Sequence, residues 1–305
     1  MPNHKNSNGR TGGDEPGAAR MGTLYVVGTP IGNLEDITLR ALRTLKTVDL
    51  IACEDTRHTQ KLLLHYQIAT PSTSYHEHNE LTRAAELILR LEEGAQIALV
   101  SDAGMPGISD PGYRLISLCI RHRVPVVPVP GASAFVAALV ASGLPTDAFR
   151  FVGFLPPKRN QRRKVLEQQK TAQKTLIFYE APHRILETLE DVLEVLGDRH
   201  LVVAREVTKV HEEFLRGRCA DVLAQLQQKE EVLGEITLLI GRAEEEPHPL
   251  AEVPLRSRIE QLMREQGLDR MAALKIVAKE RGISKRQAYR QYEQAEEAKA
   301  APQKT

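Results

Sequence analysis

Short apolar runs alternate with amphipathic stretches along the first half of the chain. Leu24–Val27 is such a run, closed by Gly28, and reads as a buried strand ending in a turn. Leu39, Ala41, Leu42 and Leu45 then share one helical face, with Asp36 or Thr38 placed to cap it. Asp49–Cys53 follows as a second strand, completing a βαβ unit. Leu81–Glu92 predicts a helix stopped by Gly94, Gln96–Ser101 a third strand, Val124–Val129 a fourth, and Ala132–Ala141 a helix. Between the third and fourth strands, Asp110-Pro111 predicts a helix start, with an Asp cap and Pro at the first helical position. Regular alternation of this kind implies a parallel sheet covered on both faces, over residues 22–144.

Gly143, Pro145 and Asp147 punctuate the chain, and the pattern restarts beyond them. Phe149–Phe154, Thr175–Tyr179, Leu201–Arg205, Glu212–Arg216 and Glu235–Ile240 read as strands. Helices are predicted among them at Arg162–Gln169, Arg184–Leu196 and Ala220–Gln227. This is a second α/β domain, residues 148–243, with a mixed sheet. A Glu/Pro-rich linker, Glu244–Pro254, leads to a helical module over 253–294. Its expected helices are Leu255–Gln266, Arg270–Arg281 and Ser284–Tyr292, with Gly282 at a turn and Ser284 as a cap. The last of these resembles a helix-turn-helix recognition helix. Residues 1–21 and 295–305 have the composition of tails. The fold class is therefore α/β: two α/β domains with a ligand cleft between them, plus a small all-helical C-terminal module.

Composition narrows the setting. No stretch approaches the roughly 20 apolar residues of a membrane span, and residues 1–20 lack the apolar core expected of a secretory leader. Cys53, Cys119 and Cys219 are dispersed, as expected of buried free thiols in a reducing cytoplasm. Net charge is only +1, but the cations are clustered. Lys158–Lys164 holds five basic residues and no acid, and Val253–Gln294 has ten Lys or Arg against five Asp or Glu. Arg159, Arg162, Arg163 and Lys164 could track phosphates. Lys285, Arg286 and Arg290, with Arg281, could do the same beside Tyr289 and Tyr292 as stacking surfaces. The competing reading of such a helix is a solvated amphipathic surface.

Candidate chemistry sits where open α/β sheets bind ligands, at strand C-termini. Gly28-Thr-Pro-Ile-Gly-Asn33 suggests a dinucleotide loop, with Glu54 and Asp55 about twenty residues on, but Pro30 and Asn33 occupy positions that motif gives to glycine. Pro30 also lacks the N–H a pyrophosphate cradle would use. Ser101-Asp-Ala-Gly-Met-Pro-Gly-Ile-Ser-Asp-Pro-Gly112 and Pro130-Gly-Ala-Ser133 are stiff loops of small residues that let backbone approach a ligand. Phe178-Tyr-Glu-Ala-Pro-His-Arg184 and Arg205-Glu-Val-Thr-Lys209 concentrate charge at strand ends in the second domain. His76-Glu-His78 has no third ligand at convincing spacing, so no metal site is expected.

Together, Val27-Gly-Thr-Pro-Ile-Gly-Asn-Leu34, Cys53-Glu-Asp-Thr-Arg-His58, Val100-Ser-Asp-Ala-Gly-Met-Pro106 and Phe178–Arg184 resemble the tetrapyrrole methylase superfamily. The likeness is to its branch acting on small-subunit ribosomal RNA, and it extends over nearly the whole chain from Leu24. It implies S-adenosylmethionine as methyl donor and 2′-O-methylation of a cytidine in the decoding region of 16S rRNA. The implied partners are 16S rRNA or the 30S subunit and a second copy of the chain, in a homodimer. The cofactor would meet Pro30 and Ile31, Asp102, Ala103, Gly104, Met105 and Ile108, Ser133 and Ala134, and Tyr179. Met105 departs from the threonine expected of many relatives. A ribose hydroxyl needs a base, and Asp55 and Lys209 are the first candidates, ahead of Glu180 and Glu206. Two other readings stay open, a methylase of tetrapyrrole precursors and a helix-turn-helix regulator.

Overall fold

The structure, a computed structural model, describes residues 21–243 and 254–300, with side chains to residue 294. The expected N-terminal tail except Met21, the linker except Pro254, and the last five residues lie outside it, whereas residues 295–300 of the expected C-terminal tail are helical. The described chain falls into two compact units, one ending at Ala243 and the other containing the C-terminal helices.

In the first unit, β1 (Thr23–Val27), β2 (Leu50–Cys53), β3 (Ser72–Ser74), β4 (Gln96–Val100) and β5 (Val126–Val129) form one sheet. Its order is β3-β2-β4-β1-β5, and every pairing is parallel. The helices following these strands are α1 (Leu39–Thr47), α2 (Thr56–His65), α3 (Glu80–Glu92), α4 (Tyr113–Arg121) and α5 (Ala134–Ser142). Alternation along the strands explains their unbroken apolar runs. Leu24, Val26, Ile97 and Leu99 pack with Leu87, Leu91 and Leu115, whereas Val27, Ile51, Ala98 and Val100 pack with Ala41, Leu45 and Leu63.

Two of these elements have weak patterns. In α2, only Thr59, Leu62 and Leu63 are buried, and Asp55 caps it by accepting the Arg57 N–H at 2.8 Å. Strand β3 is three polar residues on the sheet edge. The helix start expected at Asp110-Pro111 also moves: α4 begins at Tyr113, behind Gly112 at φ 151° with no side-chain cap. Instead, the Leu115 N–H donates to the buried Tyr75 hydroxyl at 3.2 Å, which satisfies one free donor of the first turn. Asp110 lies two residues before the cap position and does not cap α4.

The second sheet contains β6 (Phe149–Phe154), β7 (Thr175–Glu180), β8 (His200–Arg205), β9 (Glu213–Arg218) and β10 (Ile236–Ile240), in the order β6-β7-β10-β8-β9. Only β6 and β7 run parallel, so the sheet is mixed as expected. One face is covered by α6 (Arg159–Glu167), α7 (Ile185–Leu196) and α8 (Cys219–Gln227). There Leu176, Phe178, Val203 and Leu238 pack with Leu166, Leu189, Val192 and Leu226. Burying a side chain such as Phe178 contributes about 1.5–3 kcal/mol. The other face, with Ile177, Val202, Ala204 and Leu239, is covered by Ala138 and Leu139 of α5 and by Ile31. Helix α5 follows the first sheet in sequence and packs on the second, which makes one unit of the two sheets.

The C-terminal unit comprises α9 (Leu255–Gln266), α10 (Arg270–Glu280) and α11 (Lys285–Ala300). Leu255, Ile259, Leu262, Leu274 and Val277 form its core with Ala288 and Tyr292. Ser284 Oγ accepts the Gln287 N–H at 3.3 Å, the expected cap. Tyr292 corrects an expectation. It is buried beneath Arg256 and Arg270, each 5.8 Å from its ring, and so presents no stacking face. All three cysteines are buried and free. Among the described residues, no helix is long and apolar enough to cross a membrane.

Candidate functional site: a cavity between the sheet ends

The loops at the strand ends of the first sheet are locked together by backbone. A Cβ on Gly28 would lie 2.7 Å from the Gly131 Cα, so the loops after β1 and β5 touch only because both residues are glycine. The Thr29 N–H donates to the Gly104 carbonyl at 2.9 Å and the reciprocal bond is 3.2 Å, pinning the loop after β4 to the loop after β1. The Lys209 side chain lies flat on Gly32, where an added Cβ would meet its Cγ at 2.3 Å. This contact brings the loop after β8 against the loop after β1.

These loops and the second sheet enclose a cavity of about 270 Å³. The structure places eight of the ten expected cofactor residues on its wall: Ile31, Ala103, Gly104, Met105, Ile108, Ser133, Ala134 and Tyr179. Pro30 and Asp102 are not on it. Pro30 is buried, and Asp102 Oδ1 accepts the Asp55 N–H at 3.1 Å, tying the ends of β2 and β4. The rest of the wall was not among the expected cofactor residues: Ser109 and Asp110, Phe154, the segment 180–182, Val207 and the segment Gly234–Thr237. Gly234 before the last strand was the one available signal for the latter. Tyr179 stands between Phe151 and Phe154, with ring centroids at 5.0 and 5.6 Å.

The two first-choice bases are committed elsewhere. Asp55 lies off the cavity wall, and its carboxylate takes the Arg57 guanidinium at 2.9 and 3.2 Å. That hydrogen-bonded pairing, with the helix N–H groups, holds its pKa down at about 2, which makes it a weak base. Lys209 is likewise absent from the wall, and its ammonium reaches Glu206 at 2.8 Å and Glu235 at 3.2 Å. Burial acts to lower its pKa, but the two carboxylates outweigh it and raise the pKa. Lys209 stays charged. Glu180 is buried and saturated by Thr188 at 2.7 Å, the Ala181 N–H at 2.9 Å and Arg184 at 3.2 Å, so it fixes the turn after β7. Asp110 differs. Burial raises its pKa, Asp102 adds to the shift, and a hydrogen bond from Ser101 opposes it. Glu54 is raised for the same leading reason, with Asp110 and Asp102 adding repulsion.

The arginines of the basic cluster on α6 are paired with acids of α7. Arg162 is fully buried and its Nε donates to the equally buried Asp191 at 2.7 Å, so its expected RNA contact is overturned. Arg159 reaches Asp191 at 2.9 Å and Glu194 at 3.1 Å, and Arg163 pairs with Glu194. Lys164 alone of the four is exposed with no ion pair among the described residues. On α11, by contrast, Lys285, Arg286 and Arg290 are all exposed. Among the described residues no group of His, Cys, Asp or Glu is placed to hold a metal, and His76 hydrogen-bonds Asn79 at 3.2 Å.

Residues 23–223 match the family of tetrapyrrole (corrin/porphyrin) methylases. The chain is 50% identical over 278 residues to ribosomal RNA small subunit methyltransferase I of Halalkalibacterium halodurans, covering 90% of this chain and 95% of that one. It is also 50% identical over 271 residues to the protein of the same name from Synechocystis, covering 88% and 96%. Uroporphyrin-III-C-methyltransferase from Thermus thermophilus shares the fold, with a TM-score of 0.51 at 23% identity over 73% of this chain and 93% of that one.

Proposed function

Because the chain belongs to the tetrapyrrole methylases, and within them to the ribosomal RNA small subunit methyltransferase I family, we propose that it methylates the 2′-hydroxyl of a cytidine in the decoding region of 16S rRNA. The family's chemistry is S-adenosylmethionine-dependent, and the bound cofactor supplies a methyl group on a sulfonium, electrophilic without any metal. The residues of the cavity fit such a group. Ala103, Gly104 and Ala134 leave room for close backbone approach, Ile31, Met105 and Ile108 offer apolar walls, and Ser133 and Thr237 offer hydroxyls. Ser133 is extended (φ −149°, ψ 115°) and makes no capping bond, so its hydroxyl is free for a ligand.

The observation that carries the reading is the shared wall. A cavity of about 270 Å³ is lined from both sheets, so a methyl donor seated on the first-sheet loops faces residues of the second. Positioning is the first demand of an in-line displacement, since reacting atoms must meet at about 3–3.5 Å. The Gly28–Gly131 and Lys209–Gly32 contacts bring the loops against one another at this site. Exposed Lys285, Arg286 and Arg290 suit RNA phosphates, the substrate being either the assembled 30S subunit or free 16S rRNA. A homodimer in the bacterial cytoplasm belongs to the same proposal, checked by light scattering of the purified protein.

The test is transfer of label from methyl-labelled S-adenosylmethionine to 30S subunits, free rRNA or a porphyrinoid precursor. Label is expected on one ribose of 16S rRNA, located by nuclease mapping. Label on the porphyrinoid alone would overturn the proposal.

A further inference from the structure

We infer that Asp110 is the general base that takes the proton from the substrate hydroxyl, a role resting on the O-methylation reading above. Four titratable side chains line the cavity: Asp110, Tyr179, Glu180 and Glu235. Burial pushes the Tyr179 phenol up, so it stays protonated and has no lone base to offer near neutral pH. Glu180 has every acceptor position occupied, by Thr188, Ala181 and Arg184. Glu235 is turned largely to solvent and held by Lys209 at 3.2 Å. Of the three carboxylates, Asp110 alone has no ion pair among the described residues.

Its placement is built rather than incidental. A helix opened at Asp110-Pro111 would consume this carboxylate as a cap. Instead the cap position of α4 is Gly112, two residues later, which leaves Asp110 outside the helix. Ser109, just before, sits at φ 63°, a left-handed conformation that costs a non-glycine residue energy, and both residues line the cavity. Burial raises the Asp110 pKa from its ordinary value and Asp102, on the same stiff loop, adds to the rise, against a hydrogen bond from Ser101. A carboxylate moved toward neutral pH is a better base than one held at about 2, as Asp55 is.

In the step itself, the Asp110 carboxylate accepts the hydroxyl proton as the oxygen–methyl bond forms and the donor's carbon–sulfur bond breaks. The electron pair of that bond stays on sulfur, which leaves as a neutral thioether. The ribose ends as a methyl ether, and Asp110 returns its proton to solvent.

The experiment compares the intact protein with Asp110→Asn and Asp110→Glu, using 30S subunits and methyl-labelled S-adenosylmethionine. Asp110→Asn is expected to lower kcat by about 10²–10⁴-fold, with cofactor affinity by calorimetry within about threefold. The acid limb of the wild-type kcat–pH profile should vanish in this variant, and Asp110→Glu should restore part of the rate. Carbon-13 NMR of labelled aspartate should show one carboxyl titrating above the ordinary range, absent from Asp110→Asn. An unchanged kcat and acid limb in Asp110→Asn would overturn the inference. So would a loss of rate matched by an equal loss of cofactor affinity, which would make Asp110 a cofactor ligand. Absence of transfer to RNA by the wild type would fell the parent reading and this one with it, whereas normal transfer by Asp110→Asn would fell this one alone.

Discussion

Helices α6 and α11 each present a run of cations, and the fold puts them to opposite uses. On α6, Arg159, Arg162 and Arg163 meet Asp191 and Glu194 of α7, and Arg162 and Asp191 are both out of solvent. On α11, Lys285, Arg286 and Arg290 stand exposed, while Ala288 and Tyr292 turn into the core of their own unit. The difference lies in what each helix packs against. Helix α7 brings Glu187, Asp191 and Glu194 along one face at helical spacing, so α6 must answer with arginines to be covered. The partners of α11 in its unit offer it an apolar seam, which leaves the cations on the far side. A basic run is therefore a statement about charge, and the facing element decides whether that charge is spent inside the protein.

The largest effect should come from breaking the buried pair. Asp191→Ala leaves the Arg162 guanidinium buried without its main partner, and is expected to cost about 3–5 kcal/mol in urea denaturation. Arg162→Met with Asp191→Leu, which removes both charges, should recover most of that loss. A double variant as unstable as the single one would show that the helices meet through packing and not through charge. The next effect belongs to α11. Replacing Lys285, Arg286 and Arg290 with Ala should leave folding nearly unchanged. It should also flatten the salt dependence of rRNA binding by about 2 in log–log slope, roughly 0.7 for each phosphate contact on single-stranded RNA. An unaltered slope would make α11 a merely solvated surface.

The same contrast explains what could be read in advance. Strands buried on both faces announce themselves, because Ile97, Leu99, Ala98 and Val100 are all apolar whichever way they point. The small-residue loops were legible too, since close backbone approach demands residues such as Gly28 and Gly131. Helix α2 and strand β3 were hidden, the first by having three inward residues among exposed polar ones, the second by being three polar edge residues. Asp55 looked like chemistry because a strand-end carboxylate and a helix cap are the same residue in the same place. Asp110 looked like a cap, and only the structure shows α4 opening two residues later, behind Gly112. The ion pairs of α6 were invisible for a similar reason: Asp191 lies 29 residues from Arg162, and no local pattern links them.

The smallest prediction is set within α6 itself and repeats the contrast between two adjacent residues. Arg163 is bound to Glu194 at a partly exposed position, and such pairs contribute about 0–1 kcal/mol. Arg163→Ala should therefore lower stability by less than about 1 kcal/mol, a difference that should fade at about 1 M salt, where screening acts within about 3 Å. Its rRNA affinity should not move, because that charge is already answered. Lys164 has no ion pair among the described residues and faces solvent. Lys164→Ala should leave stability untouched and reduce the salt slope of rRNA binding by about 0.7 if its ammonium meets a phosphate. Equal slopes for both variants and the wild type would remove α6 from the RNA surface altogether. A reduced slope in Arg163→Ala would mean that Glu194 releases its arginine when RNA binds, and that burial by an acid neighbour is a weaker commitment on this helix than the Arg162–Asp191 pair suggests.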